Sequence, residues 1–197
     1  GVVEAMDLIG STQVQGRATL VGNLCNGSPA ADSVPALIAA GASVTIISPN
    51  GSRDVSVEDI PHSPGKTTLE KGELISAINL PKRNTNGGDA YLRLIPRTEM
   101  DIAVVGCGIN LSVKEGLVSD ARVSLGAVTA KVILVKEAAD AIIGTSLDDK
   151  ALTALSLAAS AACKPINDKR GTIEYRTHVA GVLAKRAAQI AYKRARS

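Results

Sequence analysis

Apolar and polar residues alternate in short blocks along the chain, and the spacing within each block indicates which element it forms. In the first half, short apolar runs are separated by Gly, Pro, Asn and Ser, which is typical of strands and helices joined by tight turns. The elements predicted there are a strand at 17–21, a loop at 22–29, a helix at 30–40 closed by Gly41, and strands at 43–47 and 73–80.

The second half has a different pattern. Two apolar runs at 102–113 and 121–128 flank the turn-like segment 114–116, which predicts a β-hairpin. Stretches rich in Ala, Leu and Lys then predict three helices. These helices are at 132–143, 148–162 and 173–194, and the last one has Val179, Val182, Leu183 and Ile190 on one face.

The polar segment 81–89 separates the two halves. It combines charged residues with Asn and Gly and is the best candidate for a domain boundary. The predicted fold class is α+β, with a small sheet backed by helices.

Composition narrows the class of protein to a globular one with an aliphatic core. The 197 residues are 45% hydrophobic and carry a formal net charge of +3, which excludes a disordered chain, a collagen-like repeat and a strongly basic nucleic-acid binder. The aromatic residues are three tyrosines, with no Phe and no Trp. The first residues resemble neither a signal peptide nor a membrane helix. Three cysteines without CxxC spacing favour a reducing cytoplasm and argue against an iron–sulfur or zinc site in this chain.

Basic residues concentrate at the end of the chain. From Lys164 to Ser197 there are nine basic and two acidic residues, whereas the first 163 residues contain 13 basic and 17 acidic ones. A solvated helix face explains this distribution, and so does a surface that docks on an acidic partner or on nucleic acid. The scarcity of aromatic side chains argues against nucleic acid, because single strands are usually bound by aromatic stacking.

Several short motifs lack the spacing that their chemistry needs. Residues 65–67 (GKT) resemble the end of a phosphate-binding P-loop, but Ile60 stands where that loop needs glycine. Residues 106–108 (GCG) lack the third glycine of a dinucleotide fingerprint and lie in an apolar run, where glycine more often marks close packing. His62 and His178 have no carboxylate or cysteine at metal-site or triad spacing. The sequence therefore predicts no catalytic residue and no metal ligand.

The segment from Thr19 to Asp32 is richer in small and polar residues than an ordinary turn. If a strand enters a loop here, Gly22 and Gly27 allow a ligand to approach the backbone, and free amides beside Asn23 form a nest for phosphate oxygens. Asp32, in the first turn of the next helix, would then accept a hydrogen bond from a sugar hydroxyl. A loop that only caps this helix explains the same spacing equally well.

This segment also carries a family resemblance. Residues 19–37 (TLVGNLCNGSPAADSVPAL) closely resemble the second flavin-binding motif in the FAD-binding (medium) subunits of molybdenum hydroxylases, the family of carbon monoxide dehydrogenase and bacterial xanthine dehydrogenase. Residues 63–67 (SPGKT) and 73–81 (ELISAINLP) are similar to two later motifs of that family. Residues 90–106 and 165–176 resemble its C-terminal domain, so the similarity extends in order over essentially the whole chain.

The resemblance implies two domains. Residues 1–86 would form the second α+β subdomain of the flavin domain, and residues 87–197 a C-terminal domain with a small antiparallel sheet and a helical bundle. The first flavin subdomain of the family has no counterpart in this sequence, and Val21 stands where the family has the first glycine of T-[IL]-G-G-N. Both departures imply weak FAD binding by this chain alone.

The resemblance further implies an oxidoreductase subunit in a cytoplasmic hetero-oligomer. Substrate would be oxidised at a molybdenum cofactor on a large subunit, and electrons would pass through 2Fe–2S clusters on a small subunit to FAD on this chain and then to an acceptor. The alternative is a structural or assembly subunit, or a fragment, that no longer binds FAD tightly. The residues implied to bind the flavin cofactor are Thr19, Gly22, Asn23, Asp32, Ile75 and Arg93.

Overall fold

A computed structural model of the chain describes residues 1–97 and 100–197. The helices are α1 (Val2–Asp7), α2 (Thr12–Gln15), α3 (Leu20–Cys25), α4 (Ser33–Ala39), α5 (Lys136–Asp140), α6 (Asp149–Ala161) and α7 (Ile173–Ala195). The strands are β1 (Ser43–Ser48), β2 (Gly51–Ser56), β3 (Pro61–Ser63), β4 (Lys66–Thr67), β5 (Leu74–Asn79), β6 (Gly87–Leu94), β7 (Val105–Lys114), β8 (Leu117–Gly126) and β9 (Ile133–Leu134). In this described part of the chain, no helix combines the length and the apolar character needed to cross a membrane.

The strands form three antiparallel sheets within the described residues. The first has the order β2-β1-β5, the second pairs β3 with β4, and the third has the order β6-β7-β8-β9. The predicted α+β class is therefore confirmed. The predicted hairpin is also present, with β7 and β8 joined at Glu115 and Gly116, which both have positive φ angles as a tight turn requires.

The third sheet has two chemically different faces, because side chains alternate along each strand. On one face, every second residue of β7 is aliphatic or Cys107 and packs in a cluster with α6 and α7. On the other face, Gly106 and Gly108 alternate with them, and α4 lies against this face. A Cβ atom at Gly108 would lie 2.6 Å from the carbonyl oxygen of Pro35, so the missing side chain allows α4 to approach the sheet closely.

Helix α7 packs on the aliphatic face mainly through alanines. Val179, Val182 and Ile190, which were predicted to share the buried face with Leu183, are only partly buried. The buried hydrophobic residues of α7 are Ala180, Leu183, Ala184, Ala187, Ala188, Ala191 and Ala195. The contact with β6 explains this preference, since a Cβ atom at Gly88 would lie 2.0 Å from the carbonyl oxygen of Ala191. Helix and strand are too close for larger side chains between them.

The strand predicted at 17–21 and the loop predicted from residue 22 are wrong, because residues 20–25 form helix α3. The apolar residues of this segment recur at the helical spacing i, i+1, i+4 and i+5 rather than at every second position. Thr19 begins the helix by accepting a hydrogen bond from the Gly22 amide through its side chain. Gly27 follows the helix with a φ angle of +63°.

The helix predicted at 132–143 is wrong in its first part. Ile133 and Leu134 form the short edge strand β9, which pairs with Leu125 and Ser124 of β8. The β-branched residues Val132, Ile133 and Val135 favour this extended conformation, and the helix of this stretch is confined to Lys136–Asp140. The predicted helix at 30–40 is shorter, at Ser33–Ala39, but it ends before Gly41 as expected.

Candidate functional site

The first group of candidate residues lies on α3 and is tied to the start of α4. Thr19 Oγ1 accepts a hydrogen bond of 2.9 Å from the Gly22 amide. Asn23 Oδ1 accepts bonds from the backbone amide of Ser33 at 3.3 Å and from its hydroxyl at 2.6 Å. Asn23 thereby caps α4 from a neighbouring helix, and it fixes the position of Asp32, the residue before Ser33. Thr19 and Gly22 are exposed, so a ligand can reach them.

Residues 19–32 do not form the predicted nest of free amides around Asn23, because most of these amides are bonded within the segment. The amides of Asn23, Asn26, Gly27 and Ala31 donate to carbonyl oxygens of the same segment. Free donors remain at the beginning of α3, where the first amides of a helix precede its first internal hydrogen bond. The Thr19 hydroxyl also keeps its own hydrogen for donation, because a hydroxyl can donate one bond while it accepts others.

Gly27 has a packing role rather than the ligand-approach role that its spacing suggested. A Cβ atom at this position would lie 2.7 Å from the Lys66 backbone nitrogen and 3.0 Å from the Gly65 carbonyl carbon. The Gly65 amide also donates to the Gly27 carbonyl oxygen at 3.0 Å. The turn between β3 and β4 therefore packs directly on the end of helix α3, within the segment that resembles a flavin-binding motif.

The second group of candidate residues meets at Asp32. The Asp32 side chain is 10% exposed, and its Oδ2 accepts a hydrogen bond of 2.7 Å from Arg93 Nη1, whose side chain is 6% exposed. Asp32 Oδ1 accepts a second bond of 3.0 Å from the hydroxyl of Tyr91. The structure thus brings together two predicted residues, Asp32 and Arg93, with Tyr91, which the sequence reasoning did not select.

The position of Tyr91, two residues before Arg93 in a strand, could have identified it as a site residue. Strand residues two apart share one face, so Tyr91 and Arg93 of β6 had to point the same way if Arg93 reached a site. The intervening Leu92 and the following Leu94 pack against the aliphatic cluster on the opposite face. The alternation of β6 therefore separates a core face from a site face.

Burial and charge act in opposite directions on Asp32. Burial raises the pKa of Asp32, while the charge of Arg93 and the hydrogen bonds from Tyr91 and Arg93 oppose that rise. Burial, together with the neighbouring Asp32, raises the pKa of Tyr91 well above its ordinary value. The phenol therefore stays protonated and donates to the carboxylate. Each carboxylate oxygen uses one lone pair in these bonds and keeps another for a further donor.

Ile75 lies apart from Asp32. It is a residue of β5, is 7% exposed and pairs with Ile46 of β1. Its side chain belongs to an aliphatic cluster that also contains Leu24 of α3. Ile75 therefore adjoins the first group of candidate residues through the core, and the structure gives it a packing role in that cluster.

A cleft of about 160 Å³ adjoins Thr19 and Leu20 and is completed by residues of α1 and α2, among them Met6 and Gln15. Ligand pockets usually measure about 300 to 1,000 Å³, so this cleft fits only part of a dinucleotide. The exposed Thr19 hydroxyl lies at this cleft, and the first amides of α3 and the exposed Gly22 follow it directly along the chain. Within residues 1–97 and 100–197, no three His, Cys, Asp or Glu side chains gather closely enough to bind a metal ion.

Comparison with known families accounts for both halves of the chain. Residues 1–83 match the FAD binding domain in molybdopterin dehydrogenase, and residues 90–191 match the CO dehydrogenase flavoprotein C-terminal domain. The chain therefore belongs to the family of FAD-binding (medium) subunits of molybdenum hydroxylases, and the resemblance stated from its motifs is confirmed.

Individual relatives agree with this assignment. The carbon monoxide dehydrogenase medium chain of Afipia carboxidovorans is 34% identical over 190 residues, which are 96% of this chain and 66% of that protein. The xanthine dehydrogenase FAD-binding subunit of Escherichia coli O157:H7 is 28% identical over 92% of this chain and 63% of its own length. The structure of carbon monoxide dehydrogenase from Hydrogenophaga pseudoflava, which lacks the Mo-pyranopterin moiety, matches with a TM-score of 0.93 at 33% identity, over 97% of this chain and 66% of the matched chain. The chain spans about two thirds of the length of these relatives.

Proposed function

We propose that this chain is the flavin-bearing electron-transfer subunit of a molybdenum hydroxylase. It receives electrons from the iron–sulfur clusters of a small partner subunit and passes them through FAD to an acceptor. Substrate is oxidised at the molybdenum cofactor of a large partner subunit. The observation that most supports this proposal is the order of the two family domains along one chain, with the flavin-like motif at α3.

The geometry supports specific roles for the candidate residues. FAD, when bound, supplies the redox chemistry, and the chain supplies binding and orientation. The Thr19 hydroxyl and the first amides of α3 hold a phosphate oxygen, which can approach the backbone closely because Gly22 has no side chain, and Asn23 fixes the start of α4 through Ser33. Asp32 accepts a hydrogen bond from a hydroxyl of the sugar chain, while Arg93 keeps that carboxylate paired at 2.7 Å. Ile75 supports α3 from the core, and its contact with the flavin ring rests on the family resemblance alone.

The flavin content of the purified protein tests the proposal directly. We expect the protein to purify with an iron–sulfur and a molybdenum subunit when all three are expressed together, and we expect about one FAD per copy of this chain in that complex by absorbance. Addition of the substrate of that complex without oxygen should then bleach the flavin absorbance. A folded protein that assembles with these partners but contains no flavin would contradict the electron-transfer role and leave a structural or assembly subunit.

Thr19→Val tests the phosphate contact. The variant keeps the shape of the side chain but loses the hydroxyl that caps α3, so we expect a loss of about 1 kcal/mol in the free energy of unfolding. We also expect FAD affinity to fall about tenfold, because the hydroxyl no longer donates to the cofactor. Urea denaturation and FAD titration measure the two effects.

Thr172→Val is the matched control, since Thr172 caps α7 through the same type of bond to the Tyr175 amide. It should lose a similar stability but keep its FAD affinity. Equal FAD affinities in the two variants would show that Thr19 acts only on the helix.

A further inference from the structure

Tyr91 lies outside the flavin-binding motif and packs in a small buried cluster with Ala5 and Ala36. Its side chain is in the buried core, at 3% exposure, yet its hydroxyl bonds to a carboxylate rather than to the backbone. The Tyr91 amide in turn donates to Glu4 Oε2 at 3.0 Å, which fixes the backbone of β6 at this point. The Tyr91 side chain is therefore held by two hydrogen bonds, one from its backbone amide to Glu4 and one from its hydroxyl to Asp32.

Tyr91 and Arg93 bind different oxygens of the same carboxylate. Arg93 Nη1 bonds to Oδ2 and the Tyr91 hydroxyl bonds to Oδ1, both from the same face of β6. Two donors on two oxygens restrain the plane of the carboxylate more tightly than the single bond from Arg93 does. The lone pairs that remain on Asp32 are consequently held in fixed directions.

The neighbouring strand leaves room for this hydroxyl. Gly106 of β7 pairs with Arg93, and a Cβ atom at Gly106 would lie 2.7 Å from the Tyr91 hydroxyl oxygen. Any larger residue at position 106 would have to displace the phenol from Asp32. Gly106, which a dinucleotide fingerprint did not explain, thus has a role in this arrangement.

We propose that Tyr91 is a positioning residue for Asp32: its hydroxyl fixes the carboxylate so that the remaining lone pairs accept a hydrogen bond from a sugar-chain hydroxyl of FAD. The inference rests on the proposed function, because it assumes that Asp32 contacts the cofactor. The Tyr91 hydroxyl, and the absence of a side chain at Gly106 that makes room for it, therefore serve flavin binding as well as core packing.

The protonation of Asp32 should make FAD affinity depend on pH, and the Tyr91 hydroxyl should change that dependence. The titratable and charged groups that face Asp32 are Arg93 and Tyr91 from β6, and Cys107 of β7 adds to the raised pKa of Tyr91. The Tyr91 hydrogen bond lowers the pKa of Asp32, so its removal raises that pKa further. Protonated Asp32 is a poorer acceptor, so FAD affinity falls as the pH drops through the pKa of Asp32. Without the hydroxyl, this fall begins at a higher pH.

Tyr91→Phe in the purified protein tests the inference, with Tyr192→Phe as control. Tyr192 also donates from its hydroxyl, to the Gly116 carbonyl oxygen at 2.5 Å, but it lies on α7 away from Asp32. We expect Tyr91→Phe to weaken FAD binding about five- to tenfold at neutral pH. We also expect it to raise the acid midpoint, which is the pH at which FAD affinity has fallen halfway as the solution is acidified. Tyr192→Phe should change neither quantity.

Gly106→Ala provides a second variant, since it keeps the phenol but displaces the hydroxyl. It should weaken FAD binding and move the acid midpoint in the same direction as Tyr91→Phe. If the unmodified protein binds FAD and both variants keep its affinity and its acid midpoint, the positioning role is overturned while the proposed function stands. If the folded, unmodified protein binds no FAD, both are overturned.

Discussion

Asp32→Asn is expected to lower the free energy of unfolding by about 3–5 kcal/mol, as found when one partner of a buried ion pair is removed. The Asp32 and Arg93 side chains are almost fully buried and 2.7 Å apart. An amide at position 32 leaves the Arg93 charge in the protein interior without its counter-ion. It also leaves one acceptor oxygen, so if that oxygen keeps the bond from Arg93, the amide nitrogen faces the Tyr91 hydroxyl, which must then accept instead of donate.

Urea denaturation at neutral pH measures this loss. Glu73→Gln is the control, because Glu73 pairs with Arg53, whose side chain is 49% exposed, and exposed pairs contribute about 1 kcal/mol or less. The double variant Asp32→Asn with Arg93→Met should be less destabilised than the sum of the two single variants, since it removes the unpaired charge. A loss for Asp32→Asn no larger than that for Glu73→Gln would show that the pair is not desolvated.

Gly88→Ala is expected to destabilise the protein by about 1–3 kcal/mol or more, as overpacking of a tight contact does. The added Cβ atom would lie 2.0 Å from the Ala191 carbonyl oxygen and 2.7 Å from the Ala195 nitrogen. Both are backbone atoms of α7, so no side-chain rotation relieves the clash and the helix must move away from β6. Such a movement weakens the alanine contacts along the whole length of the helix.

Thermal unfolding measures this effect as a drop of several degrees in Tm. Gly16→Ala is the matched control, because the nearest atom to a Cβ there is 3.6 Å away and its φ angle of −63° suits alanine. If Gly88→Ala and Gly16→Ala unfolded at the same temperature, the close packing of α7 on β6 would be refuted.

Sequence patterns predicted the elements whose buried residues are contiguous or strictly alternating. The β7–β8 hairpin falls in this class, because local spacing alone distinguishes its two faces. The position of helix α7 followed from its composition, but its buried face did not, because alanines rather than Val179, Val182 and Ile190 fill it. Helix α3 was missed although its apolar residues have helical spacing, because so short a run beside Gly22 and Gly27 also fits a strand that ends in a loop. Strand β9 was missed because a two-residue edge strand depends on its pairing with β8, which is a tertiary contact.

The candidate site also contains residues that local pattern could predict and residues that depend on tertiary contacts. Asp32 and Arg93 were selected because their motifs resemble those of the family, but they are 61 residues apart, and no local pattern indicates that they form an ion pair. The faces of β6 were predictable by alternation, so Tyr91 could have been found once Arg93 was assigned. The internal hydrogen bonding of residues 23–31 was not predictable, because it follows from helix α3.

Strand β7 has a consequence for how the molecule unfolds. It is covered by α4 on its glycine face and by α7 on its aliphatic face, although these helices belong to different family domains. Separating the chain at the segment between residues 80 and 87 would expose one face of this strand to water and remove the support of α4. We therefore expect the two domains that comparison distinguishes to unfold together in one cooperative transition.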